Sequence, residues 1–284
     1  MRKIALIGHS HSVSILDAIA DWRPQAQMNR DGEDSRYTRA FQGWFSVDTG
    51  GRLFELEPYP EFTELSGMQV CLITDRTFSG NLASLGSIDQ GEASINVSDF
   101  LASFIQRISD FDVIVSVLHG NEHAVLGLID NLPAYDFSPF DVPVQGQPID
   151  TMYIDAIVNQ LTSRVVAPLA AIRSAVKHAT ILHIPPPPPL RDPSQASVLE
   201  ILKEDIEKYG LVRPSLRQKW HTTYVNTLKA QLEPWQVMLV EPNYEPACEN
   251  GFLKLSHAEG LTHGNADYGK LVAGRIAQLS GSEV

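Results

Sequence analysis

Three segments of the chain carry side chains suited to nucleophilic attack and proton transfer: Gly8-His9-Ser10-His11-Ser12, His119-Gly120-Asn121-Glu122-His123, and Glu259-Gly260-Leu261-Thr262-His263-Gly264-Asn265. A serine hydroxyl attacks a carbonyl only when a neighbouring base takes its proton, and imidazole is the side chain best matched to that task near neutral pH. A side-chain amide on a tight glycine-containing turn is a fixed, neutral donor for a developing oxyanion. Each segment also has a plainer explanation. Ser10 or Ser12 caps a helix, Asn121 satisfies its own loop backbone, and His263 is a solvated loop histidine. The chemistry therefore depends on which elements bring the segments together.

Apolar runs at 4–7, 113–118, 180–184 and 237–240 are short, bounded by turn residues and continuous rather than alternating. Strands covered on both faces have that character. A fifth strand is expected at 37–41 or at 70–74, and the stretch between, with Gly50-Gly51 and Pro58 and Pro60, reads as an inserted hairpin or long loop. Helical stripes fill the intervals: Leu216, Trp220, Tyr224, Leu228 and Leu232 on one face, and Phe100, Leu101, Phe104, Ile105 and Ile108 behind Ser98 as N-cap. Further helices are expected from Ser10 to about Trp22, over 152–177 with Pro168 kinking or dividing it, and over 266–279. Such alternation predicts a doubly wound α/β sheet with its ligand crevice beyond the carboxyl ends of the strands. The first two segments follow strands at that edge. The prolines 185–189 form a stiff polyproline II exit from the strand 180–184, better suited to a rigid loop than to an SH3-type ligand.

Length and composition narrow the function classes. A chain of 284 residues with 43% hydrophobic and 20% charged residues is globular, and a single domain over 1–284 is expected, with a loop or hairpin insertion around 43–96. The 34 acidic against 22 basic residues leave a net charge of −12, the wrong sign for a nucleic-acid partner. No apolar run is long enough to span a membrane, and the run after Met1-Arg2-Lys3 is too short for a signal peptide. Cys71 and Cys248 are too few for a disulfide framework, so a cytoplasmic location is expected, with Cys71 inert in an apolar strand.

In order and spacing the three segments resemble the blocks of the SGNH, or GDSL-like, hydrolase superfamily across nearly the whole chain. Gly8-His9-Ser10-His11-Ser12 is similar to the first block, with His9 where many members carry Asp; Gly120-Asn121-Glu122-His123 is similar to the third, and the loop ending in Thr262-His263-Gly264-Asn265 to the fifth. The resemblance implies an α/β, flavodoxin-like three-layer sandwich around a parallel sheet of about five strands. It implies Ser10 as nucleophile, His263 as base and Asn121 as oxyanion donor beside the Ser10 N–H, with no cofactor. Ile184-Pro185-Pro186 and Gly251-Phe252-Leu253 resemble members encoded with saccharide-modifying enzymes, which implies a small-molecule or saccharide ester, such as an O-acetyl group, as substrate.

Two positions depart from the family pattern. The triad acid usually stands three residues before the histidine, where this chain has Gly260; Glu259, one residue further back, is the nearest carboxylate, and without it a backbone carbonyl would orient the imidazole of a Ser–His dyad. The block-two glycine of the oxyanion hole is Gly43, after the strand 37–41, or Gly80, after 70–74; Gly43 is preferred because its strand comes next after the first helix. Two other classes compete. A metallohydrolase would use His9, His11, His119, Glu122 and His123, although their spacing fits no common metal motif. A catalytically silent binding protein would keep the scaffold without turning an ester over. His178, His183, His221 and His257 read as core, surface or loop residues.

Overall fold

Continuous apolar runs become strands because their side chains find cover on both sides: all five residues of Ile4–Gly8 and of Val113–Val117 are buried. The computed structural model describes residues 2–21, 53–73, 82–89, 92–118, 127–130, 135–137, 146–194, 196, 200–241 and 244–281. In chain order its elements begin with β1 (Ile4–Gly8), α1 (Ser12–Ile19), β2 (Phe54–Glu55), β3 (Gln69–Leu72), β4 (Ala83–Asp89), β5 (Glu92–Val97), α2 (Asp99–Arg107) and β6 (Val113–Val117). They continue with β7 (Tyr135–Asp136), β8 (Gln147–Pro148), α3 (Thr151–Ala175), β9 (Thr180–His183), α4 (Glu200–Tyr209), α5 (Pro214–Leu232) and β10 (Val237–Leu239). Four two-residue strands, β11 (Cys248–Glu249), β12 (Phe252–Leu253), β13 (Ala258–Glu259) and β14 (His263–Gly264), lead into α6 (Ala266–Gly281).

The main sheet has the order β10-β9-β6-β1-β3-β2. Every neighbouring pair is parallel except β2 with β3, which is antiparallel at the edge. Numbered along the chain, the parallel strands lie in the order 2-1-3-4-5, the flavodoxin-like arrangement that the SGNH resemblance implies. Its switch point, where the order reverses, falls between β1 and β6. A crevice beyond their carboxyl ends is where such sheets bind ligands.

Successive strand residues point to opposite faces, so the sheet feeds two cores. Ala5, Ile7, Cys71, Ile114 and Ile181 pack against Leu101 and Phe104 of α2, Leu169 and Ile172 of α3, and Trp220 and Leu228 of α5. On the other face Ile4, Leu6, Val70, Val115 and Leu182 meet Ile15, Leu16 and Ile19 of α1 and Tyr268, Val272 and Ile276 of α6. The result is a three-layer α/β sandwich. α1 and α6 approach so closely that a Cβ added to Gly269 would lie 1.9 Å from the carbonyl oxygen of Ser14, so only glycine fits this crossing.

Several sequence expectations need adjustment. The strand beside β1 is β3 at Gln69–Leu72; the alternative at 37–41 lies outside the described residues. Within 43–96, the segment expected as an insertion, β3 is an integral sheet strand and β4 with β5 form an antiparallel hairpin. Pro168 does not divide α3, which runs as one helix of 25 residues. A proline removes one hydrogen bond from a helix; here burial of Val165, Val166, Leu169, Ala170 and Ile172 around it holds the segment helical. α1 stops at Ile19, short of Trp22, because Ala20 turns extended and the Ile19 carbonyl accepts instead from Tyr59 N–H at 2.6 Å. Ser98 caps α2 as expected, its hydroxyl accepting from Leu101 N–H at 3.2 Å.

Residues 185–188 are buried, which leaves no free polyproline face for an SH3-type partner. The neutral imidazole of His221, its pKa pushed down to about 4 by burial, donates from Nε2 to the Pro186 carbonyl at 3.0 Å. Arg217 donates to the carbonyls of Leu190 and Arg191 at 2.6 and 3.0 Å. The exit from β9 is therefore a braced strut along the crevice.

Candidate active site

Ser10 stands in the tight turn that joins β1 to α1, at the carboxyl edge of the sheet and beside the switch point. The N-cap residue of α1 is His11, and no side chain caps this helix. The plain explanation for these serines therefore does not hold: Ser12 donates its hydroxyl to the His9 carbonyl at 2.5 Å, and the Ser10 hydroxyl meets two imidazoles. His263 Nε2 lies 3.0 Å from Ser10 Oγ, and His9 Nδ1 lies 3.1 Å from it on the other side. A hydroxyl has one proton and two lone pairs. When Ser10 donates to His263, His9 donates to Ser10 from Nδ1–H, so the hydroxyl is held on the line between the rings.

His263 reaches Ser10 across 253 positions of sequence because a small antiparallel ribbon delivers it. β13 pairs with β14 in the register Ala258↔Gly264 and Glu259↔His263, and Gly260 turns the chain between them at φ +70°. That left-handed backbone explains why the position three before His263 is glycine, since a residue with a Cβ is strained there. The direct pairing projects the exposed Glu259 from the same ribbon face as His263. At the other ring nitrogen, Nδ1, the Thr262 hydroxyl lies 2.8 Å away. A proton on Nδ1, donated to Thr262, leaves Nε2 free to accept from Ser10. Asn265 closes the segment structurally, accepting from the N–H groups of Asp267 and Tyr268 at 3.0 and 3.2 Å at the start of α6.

His11 completes the cluster. Its ring stacks on that of His263 with centroids 4.0 Å apart and planes 13° from parallel. Ser10, His9 and His11 are all buried at about one-twentieth of their accessible surface, while His263 is half-buried. Sequence reasoning named Ser10 and His263 but missed what His9, His11 and Thr262 do; all three lie in the quoted segments, and nothing in their spacing distinguished a ring on the hydroxyl from a ring on the base. Asn121, Gly43 and Gly80 lie outside the described residues, as do His119, Glu122 and His123 of the metal alternative. Among the described residues no group of three or more His, Cys, Asp or Glu side chains comes together to hold a metal ion.

A hollow lined by Gly127, Leu128, residues 187–189 and Leu261 ends at Thr262, beside the candidate base. Arg217 and His221 also border it, but their N–H groups are directed to backbone carbonyls, which leaves its wall largely apolar. Among the described residues no helix is long and apolar enough to cross a membrane.

No protein-family model matches this chain, and no curated protein matches it. Among solved structures the chain is similar to a GDSL-like lipase from Bacteroides thetaiotaomicron, at 11% identity and a TM-score of 0.45 over 98% of this chain and 87% of that one. It is similar to phospholipase A1 from Streptomyces albidoflavus, at 10% identity and a TM-score of 0.45 over 99% of both chains. A third is a variant of an acetyl-xylooligosaccharide esterase from Geobacillus, at 11% identity and a TM-score of 0.45 over 99% of this chain and 95% of that one. The assignment of this chain to the α/β flavodoxin-like class rests on its own strand order, 2-1-3-4-5, with Ser10 and His263 gathered at the switch point.

Proposed function

We propose that this protein is a serine hydrolase of acyl esters, with Ser10 as nucleophile and His263 as base. The observation that carries the reading is the 3.0 Å approach of His263 Nε2 to Ser10 Oγ at the end of β1. In the reaction Oγ bonds to the acyl carbon as its proton passes to Nε2; the alcohol departs with that proton, and water, activated by the same imidazole, releases the acid. On this reading the oxyanion takes hydrogen bonds from the N–H of Ser10, the side-chain amide of Asn121 and a glycine N–H. Because the strand beside β1 is β3, the sequence that follows it contains Gly80, which has a better claim to the third donor than Gly43. The substrate class is a short acyl ester, an O-acetyl saccharide among them; the apolar hollow beside Thr262 suits an acyl group better than a charged one.

One observation favours the silent-binder reading: a hydroxyl, that of Thr262, lies at His263 Nδ1, and the position three before His263, where the resemblance implies a carboxylate, is Gly260. Treatment with a fluorophosphonate, followed by peptide mass mapping, separates the two. Hydrolysis requires adduct on the peptide bearing Ser10, together with p-nitrophenyl acetate turnover that survives a strong chelator. An unlabelled Ser10 in folded protein that turns over no ester rejects the hydrolase, and loss of turnover with the chelator transfers the chemistry to a metal.

A further inference from the structure

His263 must carry a positive charge at the moment Ser10 attacks, and something has to favour that charge. A carboxylate at Nδ1 ordinarily does so. Here the Thr262 hydroxyl lies 2.8 Å from Nδ1. A flat face of His263 is covered by His11, 4.0 Å away and 13° from parallel. His11 is rigidly placed: it is 5% exposed, it is the N-cap residue of α1, and its carbonyl accepts from the Ser14 hydroxyl at 3.2 Å.

We propose that His11 is a positioning residue for the base, its neutral ring holding the His263 imidazole in the plane that points Nε2 at Ser10 and favouring its protonated form by cation–π attraction. A cation stacked within about 6 Å of an aromatic face is stabilised by the ring's electron density. The same geometry would act in the opposite direction if His11 were charged, so the sign of the effect reports its state. Among the described residues, the other titratable or charged groups on the elements around His263 include His9 behind Ser10, Asp17 on α1, Glu259 on β13, His257 in the turn before it, and Asp267, Tyr268, Lys270 and Arg275 on α6. Replacing His11 changes the covered face of His263. The kinetic half of this inference rests on His263 being the base; the stacking half does not.

The test is an NMR titration of ring-labelled histidine in the full chain, with the His263 signal assigned by its loss in His263→Gln. In His11→Leu the His263 pKa should fall by about half a unit to one unit, the size expected for a lost cation–π contact. His11→Phe, which restores an aromatic face, should return it to within about 0.3 unit of wild type. With p-nitrophenyl acetate, His11→Leu should lower kcat about 3- to 10-fold at unchanged KM and shift the acid limb of kcat/KM to lower pH, and His11→Phe should recover both. Where His11→Leu fails to fold, His11→Gln supplies the ringless comparison. A His263 pKa that stays put or rises when the ring is removed overturns the proposal. Were the pKa shift present in a protein that cleaves no ester and resists fluorophosphonate, the stack would stand and the hydrolase reading would fall.

Discussion

Among the described residues, two serine–histidine contacts join segments distant in sequence, and they have equal length but opposite surroundings. Ser10 and His263 meet at 3.0 Å on the rim of the sheet; Ser116 and His183 meet at 3.0 Å inside it, as direct partners in the β6–β9 ladder. Ser116 and His183 are wholly buried, and burial pushes the His183 pKa down to about 3, so this imidazole is neutral near pH 7. A ring whose pKa lies that far below the working pH is a poor general base. The inner pair lies between strand neighbours and is wholly buried; the outer one sits at a helix start and a chain reversal, with His263 half-buried. Distance alone therefore does not identify a candidate for proton transfer; the burial of the imidazole separates the two pairs.

The largest effect should come from exchanging the two serines in turn. Ser10→Ala is expected to cost at least about 10³-fold in kcat and to abolish fluorophosphonate labelling at a nearly unchanged melting temperature. Ser116→Ala should leave kcat/KM within about threefold while destabilising the fold by about 1–3 kcal/mol, because His183 loses a buried hydrogen-bond partner. Thermal melts and steady-state kinetics on both variants check this together. Equal kinetic losses in the two would erase the distinction between the pairs.

A loss of intermediate size is expected on the oxyanion side. Removing one preorganised donor costs about 10² to 10³ in kcat, so Asn121→Ala should slow turnover by that factor with KM little changed. A change confined to KM would move Asn121 from the transition state to ground-state binding.

Much of this was legible before any coordinates. β1, β6, β9 and β10 follow from unbroken apolar runs, and the stripe from Leu216 to Leu232 marks α5, because burial on both faces or on one face leaves opposite periodicities. The strand beside β1 was ambiguous, since 70–74 has the same apolar character as 37–41 and an intervening loop carries no register information. α3 exceeded the local rule because tertiary burial around Pro168 outweighs one missing hydrogen bond. At the site, Ser10 and His263 were legible from block order. The stack of His11 on His263 was not, because it arises from the meeting of segments some 250 residues apart, and no local pattern records that meeting.

The buried rings also make a stability prediction that the Ser10–His263 pair does not share. His183 and His221 have pKa values lowered by burial to about 3 and about 4, below the ordinary 6.5 that they regain on unfolding. Between those limits the unfolded chain binds more protons, so stability is fully present above about pH 6.5 and declines as pH falls toward each folded value. Each ring contributes a slope of up to about 1.4 kcal/mol per pH unit in its window. Urea melts of His183→Gln from pH 7 to pH 4.5 should show a shallower decline than wild type. An unchanged slope would mean that water reaches His183 in the folded protein.

The smallest effect tests Glu259, the cross-ribbon neighbour of His263. Glu259 stands directly across the ribbon from His263 and is solvent-exposed, while the Thr262 hydroxyl already lies at Nδ1. A carboxylate fully engaged in holding an imidazole is worth about 10⁴ in kcat. An exposed carboxylate is worth far less, about 1 kcal/mol or less, because water screens its charge. Glu259→Gln should therefore reduce kcat by under about fivefold, and the loss should shrink as salt is raised, because exposed charges are screened within about 10 Å at 0.1 M ionic strength. Thr262→Val, which removes the hydroxyl but preserves shape, should cost more than Glu259→Gln at every salt concentration. The reverse ranking, with a salt-independent loss near 10⁴ for the Gln variant, would make Glu259 the orienting acid and return the site to a Ser–His–acid triad whose carboxylate has moved one residue along the hairpin to make room for the turn at Gly260.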